Sequence, residues 1–165
     1  MDRRSLPLFI VGMLSWGIAG GRVAAQSDAY AKLVGTWVMD STNGPDDKGL
    51  PKSETLKFSR VGKALRIAAT TDEGTGASSS AFDCLTAAGG GTADVGNGVL
   101  THCLPHPYAD SVVYAIDVTK GGQIVATERG RLVVSGGGKT LRDEYDATSG
   151  AGAATHHRHI YTKTG

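Results

Sequence analysis

The chain has 165 residues, with 17 lysines and arginines against 16 aspartates and glutamates, a net charge of +1 with the histidines neutral. That length suggests one domain. The charges are interspersed and form no basic stripe, so composition gives no support to nucleic-acid binding or to docking on an anionic membrane surface.

Met1-Asp2-Arg3-Arg4 is a basic start, Leu6 to Ala19 is an apolar run broken by Pro7, Gly12 and Gly17, and Val23-Ala24-Ala25 sets small residues before Gln26. This is the layout of a secretory signal peptide over residues 1–25, leaving residues 26–165 as the mature domain. The expected address is the periplasm or the exterior. An N-terminal anchor is the alternative, but the apolar run falls short of the roughly 18 to 20 residues that a membrane span needs. No later stretch offers a span. Without the leader the chain keeps 14 basic and 15 acidic residues, a charge near −1.

Ser27 or Asp28 is suited to cap a short turn over residues 29–33, with Tyr30, Leu33 and Val34 as its apolar face. Gly35-Thr36-Trp37 then opens the first strand, and Trp37 is the only tryptophan beyond the leader. A large aromatic there is expected to point inward at one closed end, beneath Tyr30 and Leu33. Asn43 to Gly49 is loop chemistry. From Glu54 the period is two: Leu56 and Phe58 share a face, a turn at 61–63 follows, and Leu65, Ile67 and Ala69 alternate again, as in a half-buried hairpin.

Residues 70–80 are small and polar, with a turn expected at Asp72-Glu73-Gly74, and 81–85 is a short strand. Residues 87–98 are rich in glycine, which loses the most backbone freedom on folding, so this stretch has little reason to settle unless its ends are tied. Cys84 and Cys103 flank it. An even cysteine count in an exported chain favours one disulfide, and a loop of separation 19 would be stabilised by about 3 kcal/mol in the chain-entropy model. Two free buried thiols are the alternative.

Val99 to Leu104 reads as a strand ended by Pro105 and Pro107. Alternation is strongest from Val112 to Val118, with Val112, Tyr114, Ile116 and Val118 on one face. Strands over 123–128, 131–135, 139–146 and 155–162 complete the chain, with glycine-bearing turns at 120–122, 136–138 and 149–152. Eight to ten short strands, no long helix and turns about every ten residues indicate an all-β antiparallel sandwich or barrel.

Gly35-x-Trp37 behind a short turn, Leu50-Pro51-Lys52-Ser53 and the late Gly138-Lys139-Thr140-Leu141 turn give the chain a more specific look. Over residues 30 to 163 it resembles a lipocalin-type (calycin) barrel, and in particular small exported bacterial lipocalin-like proteins, a group with no assigned function. The resemblance implies a single up-and-down barrel with Gly35 and Trp37 as structural residues. It also implies an arginine stacked under the tryptophan, for which Arg158 is the first choice and Arg142 the second. The insert between Cys84 and Cys103 is longer and richer in glycine than that pattern.

Chemistry is scarce. Gly138-Lys139-Thr140 lacks the earlier glycine of a phosphate-binding loop, since Val133 stands there, and no helix follows. His157 and His159 share one side of a strand, and two imidazoles can chelate a metal, but a specific site wants a third or fourth ligand. Neither a metal nor a cofactor is therefore assigned. Asp143 falls on the face of Leu141 and Tyr145, with Glu144 and Asp146 opposite. A buried Asp143 would need a partner such as an inward arginine, and a solvated edge or barrel mouth is the simpler reading. No serine sits in Gly-x-Ser-x-Gly, so no catalytic residue is named. The apolar faces form a core first, and a barrel of this size is either filled or holds one small ligand. Phe58, Ile67, Tyr114, Ile116 and Tyr145 are the candidate contacts for a small apolar or amphipathic ligand. The alternative is a structural or protein-interaction role in the cell envelope, with no partner indicated.

Overall fold

The computed structural model describes residues 29–40, 51–62, 64–85, 90–108 and 110–165. The leader of residues 1–25, the cap at Ser27 or Asp28 and the loop at 43–49 lie outside them. One helical turn, α1 (29–33), precedes ten strands. These are β1 (Gly35–Met39), β2 (Ser53–Val61), β3 (Ala64–Asp72), β4 (Ala77–Leu85), β5 (Gly91–Gly96), β6 (Val99–Pro107), β7 (Ser111–Lys120), β8 (Gln123–Ser135), β9 (Thr140–Ser149) and β10 (Thr155–Thr164).

All ten strands join one antiparallel sheet in the order β4-β3-β2-β1-β10-β9-β8-β7-β6-β5. β1 bonds β2 on one side, with Trp37 opposite Leu56, and β10 on the other, with Trp37 opposite Lys163. The sheet thus curls into a nearly closed up-and-down barrel. Among the described residues the one break in the ring falls between β4 and β5, which share no ladder. Cys84 and Cys103 cross that seam as a disulfide from β4 to β6, with their Cα atoms 5.1 Å apart. Gly90 lies so close to the Cys103 carbonyl that a Cβ there would collide with backbone.

Period-two burial runs around the ring. Leu56 and Phe58 on β2, Leu65 on β3, and Val112 and Tyr114 on β7 are buried on the inner face. The strand assignments differ from the sequence reading in several places. The runs at 123–128 and 131–135 are one continuous strand, β8, with Gly130 inside it. β4 starts at Ala77, because Ala77 to Ser80 pair with Ala69 to Asp72 and ladder bonds do not require large side chains. The glycine-rich stretch contains a real strand, β5, since Asn97 and Gly98 both take positive φ (55° and 70°), which suits a tight hairpin turn into β6. Pro105 and Pro107 lie within β6, whose pairing with β5 ends at Cys103. Beyond that point β6 is an edge on one side, where a missing N–H is tolerated.

α1 plugs one end. Leu33 and Tyr30 are buried there, and the Trp37 indole N–H donates to the Leu33 carbonyl at 2.7 Å. Trp37 itself is 0% exposed. The Lys163 ammonium, rather than Arg158, sits over its ring, 5.0 Å from the centroid. Arg158 is on the outer face, opposite Glu144 on β9, because its position in the alternation is out of phase with inward His157 and His159. Arg142 likewise is exposed. Gly35, at φ 138°, lets the Lys163 stem pass where a Cβ would otherwise sit. The Arg60 guanidinium lies 5.6 Å from the Tyr30 ring centre. Burial pushes the Tyr30 phenol up to about 12, with Arg60 pulling the other way.

Candidate functional site

The barrel encloses a cavity of about 270 Å³. Every strand except β1 and β5 contributes to its lining. One wall is apolar, formed by Leu56, Phe58, Ile67, Phe82 and Ile116, and it includes the Cys84–Cys103 sulfurs' residues at the seam. Among the sequence candidates, Phe58, Ile67, Tyr114, Ile116 and Tyr145 all line this space. Each lies in the inward phase of its strand.

The same chamber also has a polar lining, which the sequence did not reveal as a unit. The Tyr114 hydroxyl lies 2.6 Å from Glu128 Oε1 and 2.9 Å from Asp143 Oδ1. Gly130 makes this possible. Tyr114 faces Gly130 across the β7–β8 ladder, and a Cβ on Gly130 would stand 2.6 Å from the Tyr114 ring and hydroxyl and from the Tyr145 Cβ. Without that side chain the tip of the Tyr114 ring passes over Gly130 and its hydroxyl reaches both carboxyls. Asp143 is therefore not a solvated edge residue. It is 7% exposed, and its partner is a tyrosine rather than an arginine.

A second group adjoins it. Glu54 accepts hydrogen bonds from Tyr161 at 2.5 Å and from Thr71 at 3.1 Å. His159, 5% exposed, has Nδ1 3.1 Å from the Tyr161 hydroxyl and 3.5 Å from Glu54 Oε2. Tyr145 stacks on His157 at 4.9 Å between centroids and meets His159 edge-on at 5.3 Å. His157 and His159 thus belong to an aromatic and hydrogen-bonded wall. Among the described residues no three His, Cys, Asp or Glu side chains are grouped so as to hold a metal ion.

The electrostatics are those of carboxyls taken out of water. Burial pushes Asp143 well above the usual carboxylate range, and the charge of Glu128 pushes the same way. Burial likewise raises Glu128, against the hydrogen bond from Tyr114. For Glu54 burial acts upward too, but the hydrogen bonds from His159 and Tyr161, the charge of His159 and the bond from Thr71 together hold it below its ordinary value. Burial and the neighbouring carboxylates push the Tyr114 and Tyr161 phenols far up, so both remain hydroxyl donors.

Glu54, Glu128, Tyr161 and Gly130 carried no motif. Their one signal was phase: Glu54 alternates with Leu56 and Phe58, and Glu128 with Leu132 and Val134. Extending the β2 face by one step, and the β8 face by two steps through Gly130, places both carboxyls inside.

The fold and cavity define a class, a ten-stranded up-and-down antiparallel barrel with an internal chamber. No family model matches the sequence. No curated protein matches it either. Among solved structures, a chain described as REP1-NXSQ fatty acid transporter aligns over 82% of this chain and 98% of its own, at 14% identity and a TM-score of 0.49. A likeness that distant assigns neither a family nor a ligand. No helix among the described residues is long and apolar enough to cross a membrane.

Proposed function

We propose that this protein is an exported, non-catalytic barrel of lipocalin-like kind that binds one small apolar or amphipathic molecule inside the barrel. The observation that carries the reading is the chamber itself. A space of about 270 Å³ with apolar lining and a few convergent polar groups has the form of a small-molecule site, just below the roughly 300–1,000 Å³ of pockets for drug-sized ligands. A barrel serving only as a structural body needs no such space, since side chains can fill it. Export is supported by the leader-like N-terminus and by the paired cysteines, which suit an oxidising compartment.

Native mass spectrometry of protein purified from its own compartment is expected to show a bound small-molecule adduct. Titration of adduct-free protein with the neutral dye N-phenyl-1-naphthylamine is expected to give a saturable rise in fluorescence. Ile116→Trp, which fills the chamber, should abolish that rise. Absence of an adduct, together with a flat dye titration on the unaltered protein, overturns the reading.

A further inference from the structure

The chamber has a sign. Three carboxyl side chains, Glu54, Glu128 and Asp143, line it, and no lysine or arginine is among its lining residues. His159 is the one basic group there. Glu54 acts electrostatically on both Glu128 and Asp143, and Glu128 acts on Asp143, so the three carboxyls share one field.

Donors are also short. Glu54 is served by Tyr161 and Thr71. Glu128 and Asp143 meet a single Tyr114 hydroxyl, whose one proton can be donated to only one of the two oxygens within reach. The second contact needs a hydrogen from elsewhere. A proton shared by the two carboxyls, both of whose pKa values burial raises, can supply it. Asp143 is more than nine-tenths buried and faces the chamber, so that hydrogen comes from within the chamber.

We propose that the chamber selects a cationic amphiphile, a small amine whose ammonium group lies against Glu128 and Asp143 and whose apolar body packs on Phe58, Ile67 and Ile116. This rests on the cavity-binding reading above and narrows it. An ammonium group brings several N–H donors and a positive charge to a place lacking both. On binding, the proton held by the carboxyl pair leaves to solvent and the ammonium N–H groups replace it, so charge and hydrogen bonds balance. A ligand carboxylate of the same size would instead enter beside three carboxyls with no cationic side chain to meet it, the arrangement by which a site rejects a competitor.

The test compares three probes with one apolar body: 1-naphthylmethylamine, 1-naphthalenemethanol and 1-naphthoic acid. Calorimetric titration of the full mature protein at neutral pH is expected to rank the amine above the alcohol and the alcohol above the acid. The amine should exceed the acid by at least about tenfold, as a charge-assisted contact predicts. Glu128→Gln and Asp143→Asn, each checked for folding by circular dichroism, should each weaken the amine by about tenfold and leave the alcohol within about twofold. Amine enthalpies should vary with buffer ionisation enthalpy in the direction of proton release. Acid binding as tight as the amine overturns the proposal and leaves the cavity-binding reading intact. So does an amine preference that survives in both folded variants. If none of the three probes nor the neutral dye binds, both fall.

Discussion

Trp37→Ala offers the sharpest test of the architecture. Trp37 is fully buried, and a tryptophan buries up to about 250 Å², which at roughly 25 cal/mol per Å² is an upper figure of about 6 kcal/mol for the whole side chain. Alanine retains a small part of that, and truncations of this kind cost about 3–5 kcal/mol. Two features place this one toward the upper end. The Leu33 carbonyl loses its indole donor, and the Lys163 ammonium loses the ring beneath it. Leu33 and Tyr30 then rest on a void, so α1 should detach from the barrel end. Trp37→Phe helps to separate the terms, since it keeps most of the apolar area and removes the donor with only part of the ring, for an expected loss of about 1–2 kcal/mol. Urea unfolding followed by far-UV circular dichroism measures both. A loss below about 2 kcal/mol for alanine, or equal losses for alanine and phenylalanine, would refute the anchoring role described here.

Replacing Cys84 and Cys103 together by serine should lower stability by about 3 kcal/mol, from the entropy of a loop spanning 19 residues. Urea unfolding gives the value, and two free thiols in unreduced, denatured native protein would contradict the bond. Stability should also fall as pH rises above the ordinary carboxylate range. Asp143 and Glu128 have raised folded-state pKa values, so their contribution is fully present below about pH 4 and is lost as pH climbs through those values. Glu54 runs the other way, because its folded value is depressed: its contribution is present above about pH 4 and disappears on acidification. Two raised groups oppose one lowered group, with His159, Tyr114, Tyr145 and Tyr161 facing them in the same chamber. Melting temperature is therefore expected to decline from pH 5 toward pH 8, and Asp143→Asn should flatten that decline. An identical slope in the variant would remove Asp143 as its source.

The barrel was legible in the alternating faces of β2, β3 and β7 because inward positions there hold large apolar groups. Where inward positions are small or polar, periodicity faded. Ser78 to Ser80 have almost no side chain to pattern, and their strand is made by backbone pairing with β3. β8 looked like two runs because Gly130 interrupts its apolar face. In the structure that glycine leaves room for Tyr114 in an unbroken 13-residue strand. The polar wall was hidden for a different reason. Tyr114 and Asp143 are 29 residues apart, and Glu54 and Tyr161 are 107 apart, so the partners that satisfy a buried carboxyl appear only once the ring closes. The cation over Trp37 was missed by the same long-range closure, which sets Lys163 opposite it on β10.

The seam between β4 and β5 bears on how chain order relates to sheet order. Read from β5, the ring passes through β6 to β10, crosses to β1 and ends at β4. A circular permutant with new ends at the seam, and with the old ends joined beside the Thr36–Thr164 pair, would keep all nine ladders. Every neighbour would then be a sequence neighbour, and the one pairing that now spans the whole chain would become a local hairpin. Folding speed tracks the sequence separation of contacts, so that permutant should fold faster than the natural chain. The disulfide, now a short-range tie, would join its first strands to its last and become the bond on which closure depends.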